Sequence, residues 1–392
     1  MNSGNNLTTS ESDANNFSAI LQGFNSTALS NFTFTTMAYV FFTQTVLGTL
    51  LQDIRTFYIV YILPFVIIIG VLENIAVLFV FGWHSGGVSQ TTRIYYIIVA
   101  ILDIISLLTY HLPQYTTWGL WFITNGKFSI LIDASSDFVC ALFNYLFYLS
   151  EGLANYYYLL FTIERLVAIR SPLLLKKYFS RSHSIAAILI IFTLLASAYL
   201  VIFWSYAIWY ALCYPKIFEF FLMIILTGAI IPNSHLIPTV ANAFMNVWLL
   251  ISVRLAFKRR AELTSGRTEL AAVKTKELSI SITIAVVQII HLLLFLPSGL
   301  LMFLSTLYLL NKWYIFYPES YNIIYQWSFT ALFLTSVGHC VNFLIYMSRM
   351  PGFRKRIFKP LLALTYMSSK FSSSTRPEAN LSGQAPKKKS IN

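Results

Sequence analysis

CALFNYLFYLSEGLANYYYLLFTIERLVAIRSP, residues 140–172, decides how the rest of the chain is read. About twenty consecutive residues of it are predominantly apolar, the length a helix needs to cross a bilayer. Cys140 opens the run and the pair Glu164-Arg165 closes it. The cysteine and the arginine are 25 residues apart. At about 1.5 Å of rise per residue a helix separates them by about 37 Å, slightly more than a hydrocarbon layer of about 30 Å. A thiol therefore stands at one membrane interface and a guanidinium at the other.

The rest of the composition agrees with a membrane setting. Of 392 residues, 57% are hydrophobic and 11% charged, against about 25% charge in an average soluble domain. Mean hydropathy is +0.67. The 27 Lys and Arg outnumber 15 Asp and Glu, but they gather in short runs beside apolar segments. That placement reads as membrane topology and not as a nucleic-acid surface. Three cysteines allow one disulfide with one left over, and no Cys-x-x-Cys pair suggests a metal. Walker, Gly-x-Ser-x-Gly and His-Glu-x-x-His patterns do not occur, so neither an enzyme nor a cofactor is expected.

Seven segments are long enough to span: about 57–82, 93–116, 137–169, 183–208, 229–257, 274–308 and 321–348. The fold expected is an all-α membrane protein, a seven-helix bundle over 57–348 followed by a short amphipathic helix at 351–360 and a disordered tail over 361–392. Residues 1–56 form an N-terminal tail whose first 36 residues are polar and lack the apolar core of a signal peptide. It carries the glycosylation acceptors Asn6, Asn16, Asn25 and Asn31. On one side of the seven segments lie Arg93, Arg165, Arg170, Lys176, Lys177, Arg254, Lys258, Arg259, Arg260 and the basic tail; the other side keeps Arg55, Lys127, Lys216 and Lys312. The charge bias and the acceptors together place the N-terminus outside and the C-terminus in the cytoplasm. The run 37–50 reads as an interfacial helix. The run 217–231 leads into the fifth span through Pro232-Asn233-Ser234-His235, so the start of that helix stays open.

Polar side chains at bilayer depth cost several kcal/mol unless paired or hydrated, which makes each a functional candidate. Asn74, Asp103, Glu151 and Asn342 fall inside apolar segments. So does Pro297 in Phe295-Leu296-Pro297, which removes a helical hydrogen bond and kinks the sixth helix.

These landmarks resemble the rhodopsin-like G-protein-coupled receptors over residues 57–360. Glu164-Arg165-Leu166, Ala168-Ile169 and Pro172-Leu173 are similar to the family's D/E-R-Y, A-I-x-x-P-L run, with its cysteine at the same distance. Asp103 follows Asn74 by 29 residues, Glu277 precedes Pro297 by twenty, and Asn342 through Tyr346 resembles N-P-x-x-Y, with Phe353-Arg354 seven and eight residues on. Leu166, Phe295 and Phe343 depart from the pattern, as in a divergent invertebrate orphan, chemosensory or peptide-type member. Ala154, Gly338 and His339 stand where the family surrounds Asp103 with small hydroxyl residues, so no conventional sodium site is expected.

The resemblance implies an extracellular ligand, a heterotrimeric G protein as partner, contact with membrane lipid, and arrestin or a receptor kinase at the tail. It implies a Cys140–Cys213 disulfide, Pro238 as a fifth-helix kink, and an Arg165–Glu277 contact that holds the sixth helix. The bland alternative for that contact is two interfacial charges of little weight. For Asn74 and Asp103 it is helix-to-helix hydrogen bonding alone. Phe147 stands where aminergic members carry an aspartate, leaving Glu151 as the third-helix carboxylate, a counter-charge for a cationic ligand or a partner of His111. Trp118, Asn144, Phe295 and Tyr325 complete the pocket expected. The competing class is a seven-helix solute or ion transporter with Glu73, Asp103 and Glu151 as a polar path.

Overall fold

A computed structural model of the protein describes residues 46–83, 88–209, 212–215, 236–263, 268–310 and 318–358. The acceptors Asn6, Asn16, Asn25 and Asn31, most of the run 37–50, the run 217–231 and the tail over 361–392 lie outside the described residues.

Long helices dominate. Val46–Phe57, Tyr58–Ile62 and Leu63–Trp83 run on as one rod, α1, with a π-helical turn in its middle part. It begins before the first apolar segment, because Asp53 and Arg55 interrupt hydropathy without interrupting the helix. Next comes α2, Gln90–Ile123. The Ser89 side chain caps it by accepting from the Thr92 amide, and two π-helical turns, Leu107–His111 and Tyr115–Gly119, flank Pro113, which has no N–H to give the ladder. The third helix, α3, is Asp137–Arg170, opened by the Ser136 cap and ended at Ser171-Pro172. A short helix, Pro172–Tyr178, leads to α4, Arg181–Ser205. Beyond lie α5, Ile237–Leu263; α6, Thr268–Leu310; and α7, Pro318–Arg349. Residues 351–358 are helical again.

Among the described residues the strands form a two-stranded antiparallel hairpin, β1 Tyr206–Trp209 and β2 Leu212–Pro215. Residues 206–208, counted from hydropathy as the end of the fourth span, are thus extended. An apolar run of aromatic and β-branched residues has no period that separates strand from helix. The Asp137 carboxylate accepts the Ile208 amide at 2.8 Å, which ties the hairpin to the start of α3.

Six helices are long and apolar enough to cross a membrane among the described residues: Leu50–Trp83, Gln90–Ile123, Arg181–Ser205, Ile237–Arg259, Ser281–Leu304 and Thr330–Arg349. The chain is an all-α, multi-pass membrane protein in this sense. The helix that decided the sequence reading, α3, is not among the six. Its 34 residues include Asn144, Ser150, Glu151, Asn155 and the Glu164-Arg165 pair, which lower its hydropathy. It is also the central rod: α2, α4 and α5 pack directly against it, and Phe147 to Asn155 are all buried. A helix enclosed by its neighbours meets little lipid, so its polar face is satisfied within the protein.

Two close approaches draw the outer rods inward. Gly70 of α1 faces Cys340 of α7 and Leu107 of α2, where an added Cβ would stand 2.6 Å from the Cys340 sulfur. Gly152 of α3 faces the Tyr199 phenol of α4 in the same way. At one end of the bundle Phe81, Tyr96, Tyr346 and Phe353 form an aromatic cluster that fixes residues 351–358 under α1, α2 and α7.

Candidate functional site

The bundle core holds a cluster of buried charges. Asp103 of α2 and Glu151 of α3 are each 1% exposed and His339 of α7 is 2% exposed. His339 stands between the carboxylates: Nδ1 lies 2.9 Å from Asp103 Oδ1, and Nε2 lies 2.8 Å from Glu151 Oε1. The Ser106 hydroxyl donates to Glu151 Oε1 at 2.6 Å and lies 3.1 Å from His339 Nε2. The Asn342 amide donates to Asp103 Oδ2 at 3.0 Å and to the Tyr158 phenol at 2.8 Å. Asn74 of α1 donates to the carbonyls of Gly70 and His339, both at 2.9 Å. Three helices, α2, α3 and α7, thus meet at one set of charge-assisted hydrogen bonds, the strong kind in a low-dielectric interior, and Asn74 ties α1 to it through a backbone carbonyl. Among the described residues no group of His, Cys, Asp and Glu has the arrangement of a metal site.

A second polar region adjoins the first between α3, α5 and α6. Asn155, Tyr158, Thr239, Asn242, Gln288 and His291 line a cavity of about 10 Å³, room for one water molecule. The Asn242 amide donates to the Asn155 carbonyl at 3.0 Å, and His291 Nε2 lies 3.1 Å from Asn155 Oδ1. Thr239 Oγ1, Asn242 Oδ1 and His291 Nδ1 have no hydrogen-bond partner among the described residues. Phe295 joins the two regions, stacked on His291 at 3.7 Å between ring centroids and edge-on to His339 at 5.3 Å. It is buried, two residues before Pro297 in α6.

At the far end of α3 the Glu164-Arg165 pair is buried too. Arg165 Nη2 donates to Glu164 Oε1 at 3.0 Å, to the Thr92 hydroxyl, and to Ser89 Oγ at 3.4 Å. The Thr91 hydroxyl donates to the same Glu164 oxygen at 2.8 Å. The residues that start α2 therefore hold the residues that end α3. Glu277 lies on the α6 backbone with its side chain outside the described residues, as are the side chains of Pro172, Lys176 and Lys177. Tyr346 is buried in the aromatic cluster.

At the opposite end Cys140 and Cys213 are joined by a disulfide, which binds the hairpin to α3. Asn144 donates to the Cys140 carbonyl at 2.9 Å and to the Cys213 sulfur at 3.0 Å. Phe147 stacks on Tyr110 at 4.2 Å. His111 is buried with its ring 5.9 Å from that of His339, and Trp118 lies under Arg55 at 5.7 Å. Glu151, weighed in the sequence as a counter-charge for a ligand, has His339 and Ser106 as partners. Pro238 is buried in the first turn of the described part of α5, and the Tyr325 side chain lies outside the described residues.

His111 and His339 stand out in the sequence on other grounds, whereas His291 is missed by a rule confined to carboxylates and amides. His111, His291 and His339 all lie in apolar segments, and the rule that an ionisable residue at bilayer depth needs a partner applies to histidine equally. Applied to the six histidines of the chain, it selects these three along with His235 inside the segment 229–257 and His183 at the first residue of 183–208. No known protein family matches the sequence, and no curated protein is significantly similar to it.

Proposed function

We propose that the chain is a receptor of the rhodopsin-like, G-protein-coupled kind, with α3 as the seventh span. In this reading it sits in the plasma membrane with its N-terminus outside, its basic end in the cytoplasm, and residues 351–358 on the inner leaflet. The observation that carries the reading is the buried Glu164-Arg165 pair, held to the start of α2 at the end of the bundle where basic residues gather. A desolvated guanidinium at a membrane interface is costly unless its partners are in place, so this arrangement suits one of two states.

An extracellular peptide or small chemosensory molecule would bind near the disulfide end, over His111, Asn144 and Phe147, and favour the state in which α6 has moved outward about Pro297. Arg165 is then presented to a heterotrimeric G protein, in a cavity bordered by Pro172, Lys176, Lys177 and the Lys258-Arg259-Arg260 run. Phosphorylation between Ser368 and Thr375, with arrestin binding, would end the signal.

Nucleotide exchange on a panel of G proteins tests this, in membranes carrying wild type, Arg165→Ala or Glu277→Ala at equal surface expression. The expected result is exchange that rises for Glu277→Ala and is lost for Arg165→Ala. Ligand-independent and ligand-driven exchange that both survive Arg165→Ala would sink the reading. The buried Asp103–His339–Glu151 cluster favours a second one, a seven-helix transporter moving a solute or ion past Glu73 and the cluster. Solute uptake without nucleotide exchange would select it.

A further inference from the structure

The Asp103–His339–Glu151 cluster has a proton count fixed by its geometry. Each ring nitrogen of His339 faces a carboxylate oxygen at hydrogen-bond distance, 2.9 Å to Asp103 and 2.8 Å to Glu151. Each contact needs one proton between its two atoms, and a neutral imidazole supplies only one. The three groups must therefore hold two protons between them. An imidazolium with two carboxylates and a neutral imidazole with one carboxylic acid are equivalent in this respect. Either way the cluster carries one net negative charge in a core that water barely reaches. A third proton, taken from solvent onto a carboxylate oxygen, makes the cluster neutral without breaking a covalent bond.

We propose that this cluster is a proton-binding site whose occupancy controls how tightly α7 is held to α2 and α3. Net charge in a dry interior is expensive, and the third proton removes it. That proton also discharges one of the two ion pairs that tie His339 to its neighbours, so binding loosens one helix contact. The groups that face the site are Asp103 and His111 from α2, Glu151 and Tyr158 from α3, and His291 across Phe295 from α6. Asn74 from α1 reaches the His339 carbonyl, with Glu73 and Cys340 beside these two residues in the chain. Three histidines and two carboxylates in one core form a coupled system that can take up a proton and share it. The proposal goes beyond coupling to a G protein and does not depend on it.

The test is pH-difference infrared spectroscopy on the full chain in phosphatidylcholine nanodiscs, with no other protein present. Acidification should produce a protonated-carboxyl C=O band that shifts in D₂O and persists in Glu73→Gln. Asp103→Asn or Glu151→Gln, whichever removes the proton acceptor, should abolish it. His339→Gln should move its midpoint by about one pH unit or more, a tenfold change in proton affinity. A wild type with no such band, or a band retained in both carboxylate variants, overturns the proposal. Where a variant does not fold, the wild type decides: the band must share its midpoint with the ¹⁵N shift of a buried histidine ring, and independent midpoints overturn the proposal.

Discussion

The Phe295 ring occupies the space that a side chain on Gly338 would need. That relationship lets α6 and α7 close on each other beside His339, with Phe295 stacked on His291. Gly338→Ala should force the ring out of this position and destabilise the protein by about 1–3 kcal/mol, the usual cost of overpacking a filled core. Adding Phe295→Leu to the same chain should recover most of the loss, because the smaller side chain vacates the contact. Thermal unfolding in nanodiscs reads both, and strictly additive losses would show that the two residues do not compete for space.

Asn342 bridges Asp103 and Tyr158, so it connects α7 to both α2 and α3. Asn342→Leu should weaken the bundle by about 0.6 kcal/mol and at most about 1.7 kcal/mol, the range measured for hydrogen bonds between membrane helices. Tyr158→Phe removes the other end of one of these bonds. The double variant should therefore lose less than the two single losses combined. Full additivity in mixed-micelle unfolding would mean that the bond contributes nothing.

The Cys140–Cys213 disulfide closes a loop across a sequence separation of 73. Its removal by Cys213→Ser should cost about 2–5 kcal/mol, chiefly through the freedom returned to the unfolded chain. Reductant should lower the unfolding temperature of the wild type to that of the variant and leave the variant unchanged. An equal fall in both would assign the reductant's effect to something other than this bond.

In the connection between α2 and α3 the Asp133 carboxyl is pushed above the ordinary carboxylate range by burial, against the opposing pull of its own and the Ala134 amide. A carboxyl raised in the folded state contributes stability that is present below its unfolded value and lost as pH rises through its folded one. At neutral pH the ionised group is therefore a burden. Asp133→Asn should raise the unfolding temperature there, with an advantage that shrinks as pH falls through the folded carboxyl's raised value and is gone below about pH 4, near the unfolded carboxyl's own value. An advantage independent of pH would rule out ionisation as its cause.

The separate placement of Asp103, Glu151 and Asn342 within apolar segments is visible in the sequence, because polarity at bilayer depth stands out one residue at a time. Their meeting with His339 is not visible. It depends on how α2, α3 and α7 are rotated about their own axes, and the hydropathy of a span does not fix that rotation. The ends of α3 are legible because Ser136 caps one and Ser171-Pro172 stops the other. Its central position is not, since a helix enclosed by others and a helix facing lipid differ in which face is polar. The hairpin at Tyr206–Trp209 is hidden for another reason: its residues continue an apolar run that a helix could equally use.

Arg165 is held by the two threonines that follow the α2 cap. Thr92 accepts from its guanidinium, and Thr91 donates to Glu164, which accepts from the same guanidinium. Ser89 takes part as well, but it also caps α2 through the Thr92 amide, so replacing it would disturb the helix along with the arginine. Thr92→Val keeps the side-chain shape and the Thr92 amide that Ser89 caps, and removes the acceptor together with the hydroxyl's 2.7 Å contact to Ser89 Oγ. A hydrogen bond to a charged group is worth about 1.5–3 kcal/mol, so if this one forms only in the resting state its loss should raise basal nucleotide exchange about tenfold. Thr91→Val should act in the same direction and less strongly, because it reaches Arg165 only through Glu164. Exchange unchanged in both, at equal surface expression, would leave the contact as a fixed structural tie. In that case hydrogen–deuterium exchange over residues 90–93 should be the only property that the two variants alter.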